Sequence, residues 1–182
     1  MAAWRLAALA LAIMCLWAAL ALIIRAGLPE RQAAYAGFVI DGTPSAPEMG
    51  AIAPDFSAFL LNGETLRLSS IRPKPVILNF WATWCQPCEV EMQELERLRV
   101  EQPAVKIIAV NVGETPAAIA SWTARLQLAL DIALDPEMRI ASLYQLRGQP
   151  MTFIIDGEGI IRAIFFGATN AETLSQTVEP YL

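Results

Sequence analysis

The strongest constraint on the fold is an apolar run that is followed, after three residues, by a pair of cysteines at the start of a helical pattern. Residues 76–81, Val-Ile-Leu-Asn-Phe-Trp, have the composition of a buried strand. Trp84-Cys85-Gln86-Pro87-Cys88 follows. Proline suits the first turn of a helix, because no backbone N–H is needed there. The sequence therefore predicts a strand, a short turn and a helix that begins at the cysteines.

The position of the two cysteines predicts a redox pair. Unpaired N–H groups and the helix dipole favour a thiolate at a helix N-terminus, which lowers the pKa of Cys85 from its usual ~8.5. We therefore expect Cys85 to be the attacking sulfur. Cys88, one turn further on, faces the buried side and can resolve a mixed disulfide. No cofactor is expected beyond this redox-active disulfide.

The amino-acid composition argues against most other functions of a Cys-x-x-Cys pair. A structural zinc site needs four ligands, but the chain has three cysteines and no histidine, so no metal site is expected. Attachment of a c-type haem needs histidine at position 89, which is Glu. A purely structural disulfide stays open, although so short a loop removes little chain entropy. A Cu(I)-binding metallochaperone also stays open, because soft thiolates suit that ion.

Residues 1–26 predict a membrane anchor. The 19 residues from Leu6 to Ile24 carry no charge, and they would form about 28 Å of helix, close to the ~30 Å of a hydrocarbon core. A cleaved signal peptide is the alternative, with residues 19–21 as a candidate cleavage site. The anchor is favoured because the apolar run continues past that site. We expect a single-pass protein of the inner (cytoplasmic) membrane with its soluble domain in the periplasm or on the outer face.

The remainder divides into a linker and one domain. Residues 27–52 are rich in glycine and proline and lack a sustained period, which is typical of a linker. From residue 27 onward, 11 Lys and Arg stand against 18 Asp and Glu, so nucleic acid is not an expected partner. Residues 53–182 alternate strands and helices, with a hairpin signal at Asn62-Gly63.

The alternation predicts an α/β domain, with a mixed sheet covered by helices on both faces. Strands are expected at 56–60, 65–68, 76–81, 105–112, 131–134, 151–155 and 160–166. Helices are expected at about 86–101, 115–127, 136–145 and 170–179.

Four motifs in this order resemble those of the TlpA/ResA class of thioredoxin-like proteins, which are membrane-tethered thiol-disulfide oxidoreductases. The resemblance covers residues 53–182. It implies a thioredoxin-like fold with an N-terminal β-hairpin extension and a central helix-strand insert, preceded by one transmembrane helix. Position 151 departs from the pattern, since it is Met where relatives often carry Thr or Glu. The motifs are Ala53-Pro54-Asp55-Phe56, residues 79–88, residues 110–114 and residues 148–156.

The resemblance also implies a client-binding loop. In this family the proline that corresponds to Pro150 is cis and faces the disulfide, so Gln149 and Pro150 are expected to bind an extended client segment. From the residues alone, Pro150 is an ordinary loop proline, since only ~5–6% of X–Pro bonds are cis. Trp84 is expected to offer clients an apolar platform beside the disulfide.

Glu91 is predicted to lie on the buried face of the cysteine helix. At 3.6 residues per turn it shares an arc with Cys88, Leu95 and Leu98. A buried carboxyl near two thiols can accept and return protons. Thioredoxins carry a buried Asp where this chain has Asn79, whereas the TlpA/ResA pattern has an acid at Glu91. The alternative is a solvated glutamate at the edge of the arc.

Glu114 precedes a predicted helix, and a helix cap is the favoured role for it. A contribution to a recognition surface is the alternative.

The resemblance implies the direction of the reaction and the partners. Electrons are expected to pass to client proteins with disulfides, first apocytochrome c during cytochrome c maturation and second copper-site proteins in oxidase assembly. A membrane electron-relay protein would be needed to reduce the cysteine pair again.

Overall fold

The computed structural model describes Arg5 and residues 13–18, 39–40 and 43–182 of the chain. Residues 13–18 are helical. Most of the predicted membrane helix, and the alternative cleavage site, lie outside the described residues. In the described parts no helix is long and apolar enough to cross a membrane. The fold below belongs to the compact unit Gly37–Leu182.

A five-stranded mixed sheet forms the centre of this unit, as predicted. The strands are β5 (Val76–Trp81), β6 (Lys106–Val112), β7 (Asp131–Asp135), β8 (Met151–Ile155) and β9 (Ile161–Phe166). Their order is β7-β6-β5-β8-β9, with β5, β6 and β7 parallel and with β8 and β9 antiparallel to their neighbours. All six residues of β5 are buried, because the sheet is covered on both faces.

Different elements cover the two faces of the sheet. One face packs against three helices, α1 (Gln86–Glu101), α2 (Pro116–Arg125) and α4 (Ala171–Val178), and its core contains both cysteines. The other face packs against helix α3 (Arg139–Leu143), the hairpin of β3 (Ser57–Phe59) and β4 (Thr65–Arg67), and a buried aromatic cluster. That cluster consists of Phe56, Phe80, Tyr144 and Phe153.

The N-terminal hairpin and the central insert agree with the predicted arrangement. Strands β3 and β4 pair antiparallel around Asn62-Gly63, where Gly63 adopts a φ of +88° that favours glycine. Helix α2 and strand β7 form the insert, and β7 extends the sheet beyond β6. The insert therefore lengthens the sheet on the side away from β9.

Several element boundaries differ from the predicted ones. The helix predicted at 136–145 is only Arg139–Leu143, because Met138 is left-handed and Asp135 accepts the N–H groups that open the helix. Within the predicted linker, β1 (Val39–Ile40) and β2 (Thr43–Pro44) pair antiparallel. Residues 50–53 then bond to residues 159–161. Glycine and proline spacing carries no signal for pairings as short as these.

Candidate active site

The cysteine pair lies at the junction between β5 and α1, where the sequence predicts it. Cys85 is the N-cap of α1, and Pro87 lies in the first turn. The two sulfurs are bonded as a disulfide. Cys85 is 5% exposed and Cys88 is fully buried, so of the two residues only Cys85 keeps contact with solvent. The chain direction explains this difference, because Cys88 lies one turn inside the helix.

We expect Cys85 to be the alkylated thiol of the reduced protein and Cys88 to be protected. Mass mapping after limited iodoacetamide treatment, with the modification of Cys85 and Cys88 compared in the same sample, measures this. Faster modification of Cys88 than of Cys85 would reverse the assigned roles, since access and the helix N-terminus both favour Cys85.

Glu91 is fully buried, which confirms the predicted arc of α1. The buried residues of this helix are Cys88, Glu91, Met92, Leu95 and Leu98. Residues three apart on a helix are neighbours on its surface, so the Glu91 carboxyl lies on the same face as Cys88. The alternative of a solvated glutamate is therefore wrong.

Three donors from outside α1 hold the Glu91 carboxyl. Oε2 accepts from Asn79 Nδ2 of β5 at 3.0 Å. Oε1 accepts from Thr152 Oγ1 of β8 and from the backbone N–H of Thr169, each at 3.2 Å. Asn79 Nδ2 also donates to Thr152 Oγ1 at 2.8 Å. This network fixes the carboxyl between α1, the sheet and the loop before α4.

Burial raises the pKa of Glu91 from 4.5 to about 7, although the hydrogen bonds from Thr169, Asn79 and Thr152 act in the opposite direction. Desolvation dominates because the side chain has no contact with solvent. A carboxyl with this pKa is present in both protonation states near neutral pH. It can therefore both accept and donate a proton under the conditions in which thiols exchange.

The three residues predicted to bind clients lie at the end of the sheet that carries the cysteine pair. Trp84 precedes Cys85 and is 73% exposed. The Gln149–Pro150 bond is cis, as the resemblance implies. Because Phe80 pairs with Met151 in the antiparallel register of β5 and β8, Pro150 lies at the end of the sheet from which α1 begins. The sheet therefore brings this loop to the same edge as the cysteine pair.

Glu114 does not cap α2, which corrects the expectation from sequence. Thr115 is the N-cap, and its side chain accepts from Ala118 N. The Glu114 carboxylate instead reaches the turn before the cysteines, where it accepts from Thr83 N at 2.7 Å and from Thr83 Oγ1 at 2.5 Å. Asn111 Nδ2 donates to it at 2.7 Å. Glu114 therefore ties the end of β6 to the turn that carries Trp84 and Cys85.

Replacing Glu114 with glutamine is expected to destabilise the fold by about 1–3 kcal/mol, because an amide nitrogen takes the place of one of the two oxygens that now accept from Thr83. Urea unfolding of the oxidised protein measures this loss. Thiol exchange should also slow, since the turn before Cys85 loses an anchor. The exposed Glu158 provides the control, and Glu158→Gln should leave both quantities near their wild-type values. Equal behaviour of the two variants would remove the proposed role of Glu114.

Sequence reasoning missed several polar partners in the site. Thr152, Thr169, Asn111 and Thr83 have no pattern of their own, because each acts through a contact between distant segments. The only available signal was that Asn79 is a polar residue inside an otherwise apolar strand. In the described parts of the chain, no group of three or more Cys, His, Asp or Glu side chains could hold a metal ion.

Comparisons with known proteins agree with this geometry. Residues 49–164 match the model of the AhpC/TSA family. The chain is 37% identical over 147 residues to the thiol-disulfide oxidoreductase ResA of Geobacillus thermodenitrificans, covering 80% of this chain and 83% of that one. It is 34% identical over 154 residues to the thioredoxin-like protein YneN of Bacillus subtilis, covering 80% and 89%.

Solved structures show the same fold. A protein from Chlorobium tepidum assigned as the thiol:disulfide interchange protein DsbE superimposes with a TM-score of 0.69 at 27% identity. The match covers 74% of this chain and 97% of that chain. StoA from Bacillus subtilis gives a TM-score of 0.63 at 23% identity, with 74% and 99% covered.

Proposed function

The chain belongs to the AhpC/TSA family and is a thiol-disulfide oxidoreductase of the ResA and DsbE type, and from this premise we propose that it reduces disulfides in client proteins outside the cytoplasm. In the first step the Cys85 thiolate attacks a client disulfide. One client sulfur leaves as a thiolate and takes up a proton, while the other becomes bonded to Cys85.

The second step uses the buried pair of Cys88 and Glu91. Cys88 gives its proton to the Glu91 carboxylate and attacks the sulfur of Cys85. The Cys85–Cys88 bond forms, the bond from Cys85 to the client breaks, and the second client sulfur leaves as a thiolate that takes up a proton. Two electrons pass to the client, which gains two thiols, and the protein ends in the oxidised state described above.

The proposed direction of electron transfer, from the protein to its client, rests on the position of Glu91. A negative carboxylate one turn from Cys88 disfavours a thiolate in the reduced protein, so the dithiol form gains little stability relative to the disulfide. Strong oxidants of this superfamily depend on the opposite arrangement, in which the reduced form is stabilised. A cysteine pair whose reduced form lacks that stabilisation acts as a reductant.

Equilibration with redox buffers of defined potential tests the direction. We expect a reduction potential more negative than the roughly −200 to −230 mV of glutaredoxins. A value near the roughly −120 mV of DsbA would overturn the proposal, because the protein would then oxidise its clients. The measurement should use reduced and oxidised protein as separate starting points, so that a true equilibrium is reached from both sides.

Apocytochrome c is the client we propose, since its Cys-x-x-Cys-His segment must be reduced before haem is attached. Two exposed apolar side chains, Trp84 and Val90, flank the cysteine pair and can contact residues next to a client cysteine. The loop at Gln149 and Pro150 offers backbone to an extended segment. These contacts favour a short, unfolded client disulfide over one held inside a folded domain.

Competition between oxidised clients tests this choice. Oxidised apocytochrome c should be reduced with a higher kcat/KM than a disulfide from a copper-site protein or a generic disulfide protein. Equal rates for all three substrates would show that the protein is a general reductant. A higher kcat/KM for the copper-site protein would show that this protein, and not apocytochrome c, is the preferred client.

We propose that the protein is held in the inner membrane by residues 1–26, with the domain outside the cytoplasm and a membrane relay that supplies electrons. The uncharged run of residues 6–24 supports this. The mature protein is then expected to retain residues 1–26 and to fractionate with membranes after washing at high salt. A soluble chain that begins near Leu22 would instead show that the N-terminus is a cleaved signal peptide.

A further inference from the structure

Helices α1 and α2 are joined beside the cysteine pair by an ion pair. Arg125, the last residue of α2, donates to both carboxylate oxygens of Glu89, from Nη2 to Oε2 at 3.0 Å and from Nη1 to Oε1 at 3.3 Å. The guanidinium also lies over the ring of Trp122, 5.8 Å from the ring centroid. Trp122 in turn packs against Trp81 at the end of β5, with 4.6 Å between the ring centroids. Arg125 is therefore held in place, although its side chain is 55% exposed.

Glu89 lies in the first turn of α1, and the N-cap of this helix is Cys85. Residues four apart on a helix are neighbours, so the Glu89 side chain begins beside Cys85. The hydrogen bonds from Arg125 hold the pKa of Glu89 below its ordinary value, so Glu89 is charged wherever thiols titrate. A negative charge beside a thiolate raises the pKa of the thiol. A free Glu89 carboxylate would therefore make Cys85 less reactive.

Two anions compete for the N-terminus of α1. The unpaired N–H groups and the helix dipole stabilise a thiolate at Cys85. They attract a carboxylate in the first turn for the same reason. Cys85 makes no side-chain cap hydrogen bond in the disulfide form, and both oxygens of Glu89 are engaged by Arg125 instead. The ion pair therefore decides which anion can use this end of the helix.

We propose that Arg125 is a positioning residue, which draws the Glu89 carboxylate towards α2 and leaves the N-terminus of α1 to the Cys85 thiolate. The inference deepens the proposed function, but it rests only on the attack by Cys85 and is independent of the client and of the direction of electron transfer. It gives α2 of the central insert a direct effect on the reactivity of the cysteine pair.

The other ionisable groups of the elements around Cys85 stay the same in the variants of Glu89 and Arg125. They are Cys88 and Glu91 on α1, Glu114 before α2, and Arg147 in the loop before Pro150. The loop 167–170 carries no ionisable residue. Differences among these variants therefore report on Glu89 and Arg125.

The pH profile of Cys85 alkylation in the reduced full-length protein tests the proposal. Rates with iodoacetamide, read at Cys85 by mass mapping, give the midpoint of this thiol. Arg125→Gln should raise the midpoint by about twofold in the acid dissociation constant, the size typical of like charges four residues apart on a helix. Arg125→Lys keeps the positive charge and should stay closer to the wild type. An unchanged midpoint in Arg125→Gln would overturn the proposal.

Glu89→Gln shows whether Arg125 acts through Glu89. In the Glu89→Gln background, adding Arg125→Gln should shift the midpoint much less than it does in the wild type, because no carboxylate is released. An equal shift in both backgrounds would show that the arginine charge acts on the thiolate directly. The positioning of Glu89 by Arg125 would then be rejected.

Arg97→Gln is the matched control. Arg97 is 53% exposed and pairs with Glu94 at 3.1 Å, but about 18 Å of helix separates it from Cys85, well beyond the Debye length of ~8 Å at physiological ionic strength. This variant should keep the wild-type midpoint. The shift in Arg125→Gln should also shrink in 1 M salt, where the Debye length is ~3 Å. A shift that is equal in Arg97→Gln, or that persists in full at 1 M salt, would overturn the proposal.

These outcomes are separate from those that test the proposed function. A reduction potential near that of DsbA, or equal rates with all clients, would reject the proposed direction or client and would leave the alkylation midpoints unaffected. Unchanged midpoints would reject the role of Arg125 and leave the proposed direction and client intact.

Discussion

Cys88→Ala is expected to turn the protein into a trap that stops after the first half of the reaction. The Cys85 thiolate can still attack a client disulfide, but no second sulfur lies beside it to resolve the mixed disulfide. Turnover should therefore fall to the uncatalysed background, while a client stays covalently bound to Cys85. Non-reducing electrophoresis after acid quenching measures the adduct, and mass spectrometry identifies the attached protein.

The matched control is Cys85→Ala, which should show neither turnover nor an adduct, because Cys88 is fully buried. Both variants should carry Cys15→Ser, so that the third cysteine of the chain, which is not in a disulfide, cannot contribute an adduct. Equal capture by the Cys85 and Cys88 variants would mean that the two sulfurs are equivalent, and the assigned order of attack would be wrong.

The sequence predicted the central sheet and the cysteine helix well, because their signals are local. Residues 76–81 form a strand with the predicted bounds, since a run of apolar residues bounded by polar turns is a strong pattern. The buried arc of α1 also follows from helical periodicity alone. The burial of Glu91 could therefore be predicted from the sequence.

The polar contacts of the site could not be predicted in the same way. Thr152 and Thr169 meet Glu91 across 61 and 78 residues of sequence, and no local pattern records such a pairing. Glu114 shows how a local rule can mislead. An acid just before a helix favours a cap, yet its carboxylate is engaged by Thr83, 31 residues earlier. At Glu114 the hydrogen bonds to a distant turn therefore outweigh the local preference of an acidic residue for a helix N-terminus.

Replacing Glu91 with glutamine is expected to slow disulfide exchange and to change how stability depends on pH. The glutamine amide cannot accept the Cys88 proton, so reduction of a model disulfide should slow by an amount within the ~10²–10⁴-fold range of acid–base assistance. In the wild type the rate should vary with pH around the Glu91 pKa of about 7. In the variant this dependence should disappear, and the remaining pH dependence should belong to the thiols.

The same substitution should remove the dependence of stability on pH that Glu91 causes. The pKa of Glu91 is about 7 in the folded protein and 4.5 without burial, so the folded state binds more protons between these values. Stability of the wild type therefore falls as the pH rises through this window, by about 3 kcal/mol in total. Glutamine carries no charge, so its variant should lose this slope, and its stability relative to the wild type should rise with pH across this window, as urea unfolding would show. Glu94→Gln, one turn further along α1, is the control and should keep the wild-type slope and rate. If Glu91→Gln also keeps both, Glu91 has no part in proton transfer.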